Sequence, residues 1–417
     1  MSSFGNFMFT RDKQLVVRGI VSEILDRLAG RGGTGQGWRS GDLYGVSNDP
    51  EQLVPLLIEM LQESGAETWL RAAAVAVARK GDRITHLVIE TAGGRQAVAA
   101  EVVVDATGDA SVAFAAGAHC EYTPPGSDSL EIRLGGVDLQ RFYEYISEHP
   151  DEYPEGYDFA DGGLAGFQRN WLEHGVFWWP HGGGTHLSIV QAAVDRGEWK
   201  REDGLARGLD SFGMYGIRQS PTVIINTGFY AIDDLDVRLS SQAELQARHL
   251  APEVACFVRA HFPGFENSYI AATASYFGVR RTRHICGDYT LTAVEADSGV
   301  RFADVVAVMP SRRRGLGGRG QGFMPYSHDL PLRVLLPQGT EGLIAASGKA
   351  ISTSPPAIRR SQVHCLQLGQ AAGVTAAKAA QAQVTPRHLQ TSIIQRALLD
   401  QGVFLGDTDR LTELRVL

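Results

Sequence analysis

The stretch VVVDATGDASVAFAAG, Val102 to Gly117, is an apolar run that stops at Asp105, turns through Thr107 and Gly108, and leads straight into an alanine-rich segment. A continuous apolar run suits a strand buried on both faces, as in a parallel sheet. In doubly wound sheets, ligands sit at the carboxyl ends of strands, where helix N-termini present free N–H groups. Gly108 lets the backbone approach a ligand closely, and Asp109 is placed to cap the helix or to hold a ligand hydroxyl. An ordinary strand–turn–helix with Asp109 as its cap explains the same residues equally well.

A second corner of the same kind lies at Leu343 to Ala380. A strand enters Gly348-Lys349, a polar loop follows, and a small-residue helix begins near Arg360-Ser361-Gln362. Gly369 and Gly373, with alanines around them, make one face of that helix nearly flat and suit it to close packing against a sheet or a cofactor. Its positive end is suited to steady negative charge. A packing helix without a ligand is the competing explanation.

Outward from these corners, Gly19 to Leu28 has helical spacing and ends at Gly30, and Asp49-Pro50 opens a second helix with Asp49 as its N-cap. The segment from Glu67 to Asp109 reads as three strands with turns at Lys80-Gly81-Asp82 and Gly93-Gly94. A helix is expected from about Ser241 to His261, and another from about Ser361 to Gln381. The composition shifts near Tyr122 and returns to strand–helix signals after about residue 335. The expected division is therefore 1–122, 123–335 and 336–417, with the middle part an inserted mixed α+β substrate domain.

Composition narrows the class. The chain of 417 residues is 44% hydrophobic and 21% charged, with a formal net charge of −8. That balance disfavours general binding to nucleic acid or to an anionic membrane. No segment approaches a membrane span, so neither a membrane nor a nucleic-acid partner is expected. Four scattered cysteines without metal-type spacing point away from a disulfide scaffold or a metal centre and toward the cytoplasm.

The first corner resembles the second flavin motif of the large FAD-dependent oxidoreductase family with the glutathione-reductase-type fold. LPLRVLLPQGTEGLIAASGKAISTSPPAIRRSQVHCLQLGQAAGVTAA is similar to that family's C-terminal flavin-closing segment, and PGFENSYIAATASYFGVRRTRHICGDYTLT to a block between the two. The blocks follow the family's order over essentially the whole chain. The resemblance implies an α/β, doubly wound FAD-binding domain with an inserted domain, and FAD as cofactor. It implies cofactor contacts from Thr107, Gly108, Asp109, Gly348, Lys349, Arg360, Ser361, Gln362 and Gly369. Arg280, Arg283 and His284 are the catalytic candidates, as groups able to bind a carboxylate or supply a proton. Arg281 and Lys349 depart from the family pattern, which separates the expectation of FAD binding from any shared substrate chemistry.

The resemblance also implies a strand–loop–helix unit with G-x-G-x-x-G ahead of the first recognisable element. Two literal matches, at Gly30/Gly32/Gly35 and Gly315/Gly317/Gly320, lack the strand before and helix after that the motif needs. The expectation is a doubly wound domain incomplete at its ADP end, completed by a preceding segment or by a small partner subunit carrying the unit, with a homo-oligomer as another way to cover the exposed strands. SRRRGLGGRGQG (Ser311 to Gly322) reads as a basic mobile loop. FWWPHGGGTH (Phe177 to His186) reads as a loop beside the substrate pocket, without metal spacing between His181 and His186. The expected function is oxidation of a small organic substrate by hydride transfer to flavin. The alternative is a non-catalytic binding or assembly subunit that kept the fold and lost FAD.

Overall fold

The computed structural model describes residues 3–5, 7–41, 45–124, 126, 128–153, 163–180, 187–199, 213–313, 322–356, 358 and 360–417. Strand β1 (Ser3–Gly5) pairs antiparallel with β2 (Gly45–Ser47), and α1 (Ile20–Gly30) lies between them in sequence. Val21, Ile24, Leu25 and Leu28 put one face of α1 into the core at helical spacing. Asp49 caps α2 (Pro50–Glu63) by accepting from the Glu51 N–H at 2.9 Å, with Pro50 in the first turn where a missing donor costs nothing. Gly30, Gly32 and Gly35 lie at the end of α1 and in the turns after it, which run into a three-residue 3-10 turn at Trp38–Ser40.

Strands β3 (Ala73–Lys80), β4 (Arg83–Thr91) and β5 (Gly94–Ala99) form an antiparallel meander. The expected third strand is in fact two. After Ala99 the chain breaks step and re-forms as β6 (Val103–Asp105), which pairs in parallel with residues 343–345. Val103 is buried while Val102 and Val104 are only half-buried, so the apolar run does not have the two-sided burial expected of it.

Five further strands build one antiparallel sheet. After α3 (Ser111–Ala115) and β7 (Cys120–Tyr122) come β8 (Asp128–Gly135), α4 (Leu139–Glu148), α5 (Gly163–His174), β9 (Val176–Trp179) and α6 (Ser188–Asp195). They are followed by β10 (Gly213–Ile217), β11 (Thr222–Tyr230), α7 (Val237–His261) and β12 (Tyr269–Thr273). The sheet order is β12-β8-β11-β10-β9. Helix α7 starts four residues earlier than its periodicity suggests because Asp236 caps it, accepting from the N–H groups of Arg238 and Leu239.

The chain returns through β13 (Arg283–Ile285), which pairs with β7. Then follow β14 (Leu291–Thr292), α8 (Ala293–Ser298), the long hairpin β15 (Val305–Arg313) and β16 (Gly322–Pro331), β17 (Leu343–Ala345) and β18 (Thr353–Ser354). Helices α9 (Gln362–Gln381), α10 (Thr391–Asp400) and α11 (Thr408–Glu413) complete the chain.

The apolar residues separate into two main cores. One gathers α1, β6, β15, β17, α9 and α10, and the other lies on one face of the five-stranded sheet against α4, α5 and α7. Ile285, Leu291, Val305 to Met309 and Leu330 to Leu336 pack in the first core. The molecule is an α/β fold in which an α+β unit is inserted between the strands of a parallel pair. Helix α9 packs by Val363, Leu368, Ala371 and Ala372, whereas Gly369 and Gly373 are exposed and a Cβ on either would meet nothing within 4 Å. The flat face expected to pack closely is therefore open, and close approach is made by the alanines on the opposite side.

Asp105 organises the turn after β6. Its Oδ1 accepts from the Thr107 N–H at 3.0 Å and the Thr107 hydroxyl at 2.6 Å, and its Oδ2 accepts from the Ala113 N–H at 2.8 Å. Replacing this buried carboxylate with a methyl strands three donors. Asp105→Ala is expected to lower stability by about 3 kcal/mol in urea unfolding.

Candidate active site

The two corners converge. Leu343, Ile344 and Ala345 lie opposite Val103, Val104 and Asp105, and the register continues as the Ala346 N–H donates to the Asp105 carbonyl at 2.9 Å. Both strands thus end at the same level, with Thr107, Gly108 and Asp109 beside Gly348 and Lys349. Lys349 Nζ donates to Asp109 Oδ1 at 2.6 Å and to the Val279 carbonyl at 3.1 Å. The Thr282 hydroxyl donates to the same Asp109 oxygen at 2.7 Å.

Asp109 is therefore not the helix cap. Ala110 holds the N-cap position in a left-handed conformation (φ 51°), and the capping oxygen comes from Asp105. Gly108, at φ 88°, permits close approach, but to a side chain: a Cβ there would lie 2.8 Å from Lys349 Cε. Asp234 stands near the pair, and burial, then Asp109, pushes its carboxyl above the ordinary range.

Beside this corner, between the two cores, opens a cleft of about 860 Å³. Its first wall is the face of the five-stranded sheet turned away from the second core. Ser129, Glu131 and Arg133 of β8 face the cleft, while Ile132 and Leu134 are in the core. The same alternation sends Trp178, Tyr215, Ile224 and Asn226 to the cleft and Phe177, Trp179, Met214, Val223 and Ile225 inward. The second wall is Phe7, Arg312 and the start of α9: Arg360, Ser361, Gln362 and His364. Phe7 is fixed there, its carbonyl 3.2 Å from His364 Nε2 and its ring under the Arg312 guanidinium at 4.7 Å. Gly278, Val279 and Arg280 also line the cleft.

Its electrostatics are positive at the α9 end. Ser361 holds the N-cap position, yet its side chain makes no capping bond and its buried Oγ has no hydrogen-bond partner among the described residues. The first intrahelical bond runs from the Cys365 N–H to the Ser361 carbonyl at 3.0 Å, so this 20-residue helix begins at the cleft and turns its positive end toward it. Arg360 is exposed to the cleft, and no hydrogen bond or ion pair engages its guanidinium among the described residues. Crowding by protein atoms, then the neighbouring Arg280 and Arg281, pushes its pKa down to about 10. Burial likewise lowers that of Arg280, against the pull of Asp128 and Glu131. Asp128, fully buried, sets the Arg280 backbone by accepting its N–H at 2.7 Å.

The residues singled out from sequence fall into three groups. Thr107, Gly108, Asp109, Gly348 and Lys349 meet at the corner, and Arg280, Arg360, Ser361 and Gln362 meet in the cleft. Lys349, through Val279, links the two. Arg283 and His284 sit on β13 and do not line the cleft. The Arg283 guanidinium covers the Phe114 ring at 4.2 Å. His284 is buried, with Nδ1 3.0 Å from the Thr123 hydroxyl and Nε2 3.4 Å from Glu121, and burial lowers its pKa. Gly369 lies two turns along α9, facing solvent. His181, His186 and residues 314–321 lie outside the described residues. Trp178 is on a strand rather than in the loop expected there, and Arg312, expected inside the basic loop Ser311 to Gly322, is on strand β15.

Sequence reading missed Arg133, Tyr215, Ile224 and Asn226. A usable signal was present in SLEIRL (Ser129 to Leu134), where polar and apolar residues alternate strictly.

Comparison with known proteins gives a consistent family. The model of the family described as FAD dependent oxidoreductase matches residues 2–398. A search of curated proteins finds no match. Solved structures similar to this chain include p-nitrophenol 4-monooxygenase from Pseudomonas putida DLL-E4, at 12% identity and a TM-score of 0.39, over 89% of this chain and 64% of that one. A triple mutant of a flavin-dependent brominase matches at 12% identity and a TM-score of 0.36, over 86% and 62%. A geranylgeranyl bacteriochlorophyll reductase-like protein from Thermoplasma acidophilum matches at 11% identity and a TM-score of 0.38, over 89% and 67%. The chain thus spans roughly three fifths to two thirds of the length of these relatives. No helix among the described residues is long and apolar enough to cross a membrane.

The buried carboxyl beneath Arg280 gives a pH test. Burial raises the Asp128 pKa above its ordinary 3.8. Folding therefore favours the protonated form, and the stability this brings is lost as pH rises from 3.8 through the folded value. Asp128→Asn removes that loss. Its stability relative to wild type should rise between about pH 4 and about pH 7, read from urea unfolding at each end.

Proposed function

Because the chain belongs to the FAD dependent oxidoreductase family, with FAD as its cofactor, we propose that the cleft between the cores is where a small organic substrate meets the flavin. When bound, FAD supplies the two-electron chemistry, accepting a hydride from the substrate. The observation that carries the reading is the start of α9: a buried Ser361 hydroxyl with no hydrogen-bond partner among the described residues, at the positive end of a helix that lines the cleft. Both fit the electron-rich edge of a flavin ring, where they offset negative charge without reorganising.

The remaining assignments follow from position. Ser361 and Gln362 hold the ring edge. Gly348 and Lys349 bring the second corner against Thr107, Gly108 and Asp109, and the Lys349–Asp109 pair keeps the two together. Arg280 stands on the substrate side, its backbone set by Asp128. Arg283 and His284 are positioning residues that fix β13 against β7.

The test is flavin binding itself. Purified protein titrated with FAD should take up one equivalent, show bound flavin absorbance near about 450 nm, and melt at higher temperature as ligand linkage requires. Lys349→Met and Ser361→Ala should each weaken FAD by about tenfold. A folded protein that stays colourless at saturating FAD sinks the enzyme reading and favours a non-catalytic binding subunit with the same fold.

A further inference from the structure

The cleft-facing side of the sheet is graded in composition along the hydrogen-bonding direction. Trp178, Tyr215, Ile224 and Arg133 stand directly opposite one another on β9, β10, β11 and β8. Three apolar or aromatic side chains therefore form a continuous wall that ends in a cation already held by Glu51 at 2.7 Å. The Trp178 and Tyr215 rings lie 4.5 Å apart, and both residues are more than nine-tenths buried. The indole is also held by backbone packed directly on it: a Cβ on Gly45 would fall 1.8 Å from Trp178 Cζ3. This aromatic surface is rigid before any ligand arrives, which limits the ordering cost of binding to it.

The charge facing that wall is not balanced locally. Among the described residues, four arginines line the cleft, Arg133, Arg280, Arg312 and Arg360, against two acids, Glu51 and Glu131. In a chain whose overall charge is −8, this is a local reversal of sign, and a cleft of one sign concentrates ligands of the other. Arg360 lines the cleft, and no carboxylate engages its guanidinium among the described residues.

We propose that the cleft takes a planar aromatic carboxylate, its ring laid against Trp178 and Tyr215 and its carboxylate held by Arg360. Arg360 then serves the substrate rather than the flavin. A guanidinium fork matches a carboxylate in a two-bond planar pairing, and a ring offset against the Trp178–Tyr215 surface gains area and quadrupole attraction. The inference rests on reading the cleft as the substrate side of a flavoenzyme, and it adds which substrate class that side selects.

Calorimetric titration of the FAD-loaded protein with 2-naphthoate, 2-naphthamide and acetate tests it. The expected order is naphthoate ahead of both others by about tenfold or more, since each lacks one half of the recognised group. Arg360→Met should bring naphthoate down to the naphthamide level while FAD content stays at wild type. Gly45→Ala, which displaces the indole, should weaken naphthoate with no change at the Arg360 end. Equal binding of naphthoate and naphthamide overturns the proposal. So does an Arg360→Met protein that loses FAD but keeps naphthoate. A yellow protein indifferent to naphthoate removes this inference alone. A colourless protein that still ranks the three ligands as expected keeps it and removes the flavin reading.

Discussion

The pairing of β6 with β17 is the constraint on which the site depends. It joins Val103–Asp105 to Leu343–Ala345 across most of the chain, and because it is parallel both strands run out at the same end. An antiparallel pairing would send the two turns to opposite ends of the sheet. The Lys349–Asp109 ion pair forms where the strands stop, and Lys349 reaches onward to the Val279 carbonyl on the cleft margin. Register, corner and cleft are therefore one linked arrangement. Asp105 contributes from within β6, its carboxylate shaping the first corner while its carbonyl continues the ladder to Ala346.

The cleft itself is made by alternation. A strand with one face in a core must offer its other face to something, and the sheet offers its second face to the cleft. The inward set, Phe177, Trp179, Met214, Val223 and Ile225, supplies the packing that keeps the strands in place. The outward set forms a small apolar cluster of its own, Trp178, Tyr215 and Ile224, which passes into Arg133 within one sheet. The cleft is positive because the α9 end contributes Arg360 and a helix N-terminus, while of the two lining acids Glu51 is engaged by Arg133 and Glu131 acts on the neighbouring Arg280.

What was legible in the sequence was local. Asp49-Pro50 marks the start of α2, the small-residue stretch marks α9, and the glycine-punctuated ends of β6 and β17 mark the corners, because caps, turns and periodicity act within a few residues. What was not legible depends on partners far away in the chain. Asp109 looks like a cap until Lys349, 240 residues on, is seen to hold it. Gly369 and Gly373 look like a packing face because spacing cannot say which side of a helix meets a neighbour. Trp178, Tyr215, Ile224 and Arg133 come from four strands, and only the register of the assembled sheet puts them in one row.

The chain passes between its two cores in two places, and these lie side by side. Outgoing β7 and returning β13 form a short antiparallel ribbon, reinforced where the Thr123 N–H donates to the Thr282 carbonyl at 2.6 Å. A two-stranded tether of this kind resists stretching and in-plane bending but yields readily to torsion. The Ser47 hydroxyl on the Phe177 carbonyl and the Glu51–Arg133 bridge also tie the first part of the chain to the five-stranded sheet and oppose that torsion. The ribbon and these two contacts together hold the cleft open at a set width, and one of them, Glu51–Arg133, is part of the cleft lining itself.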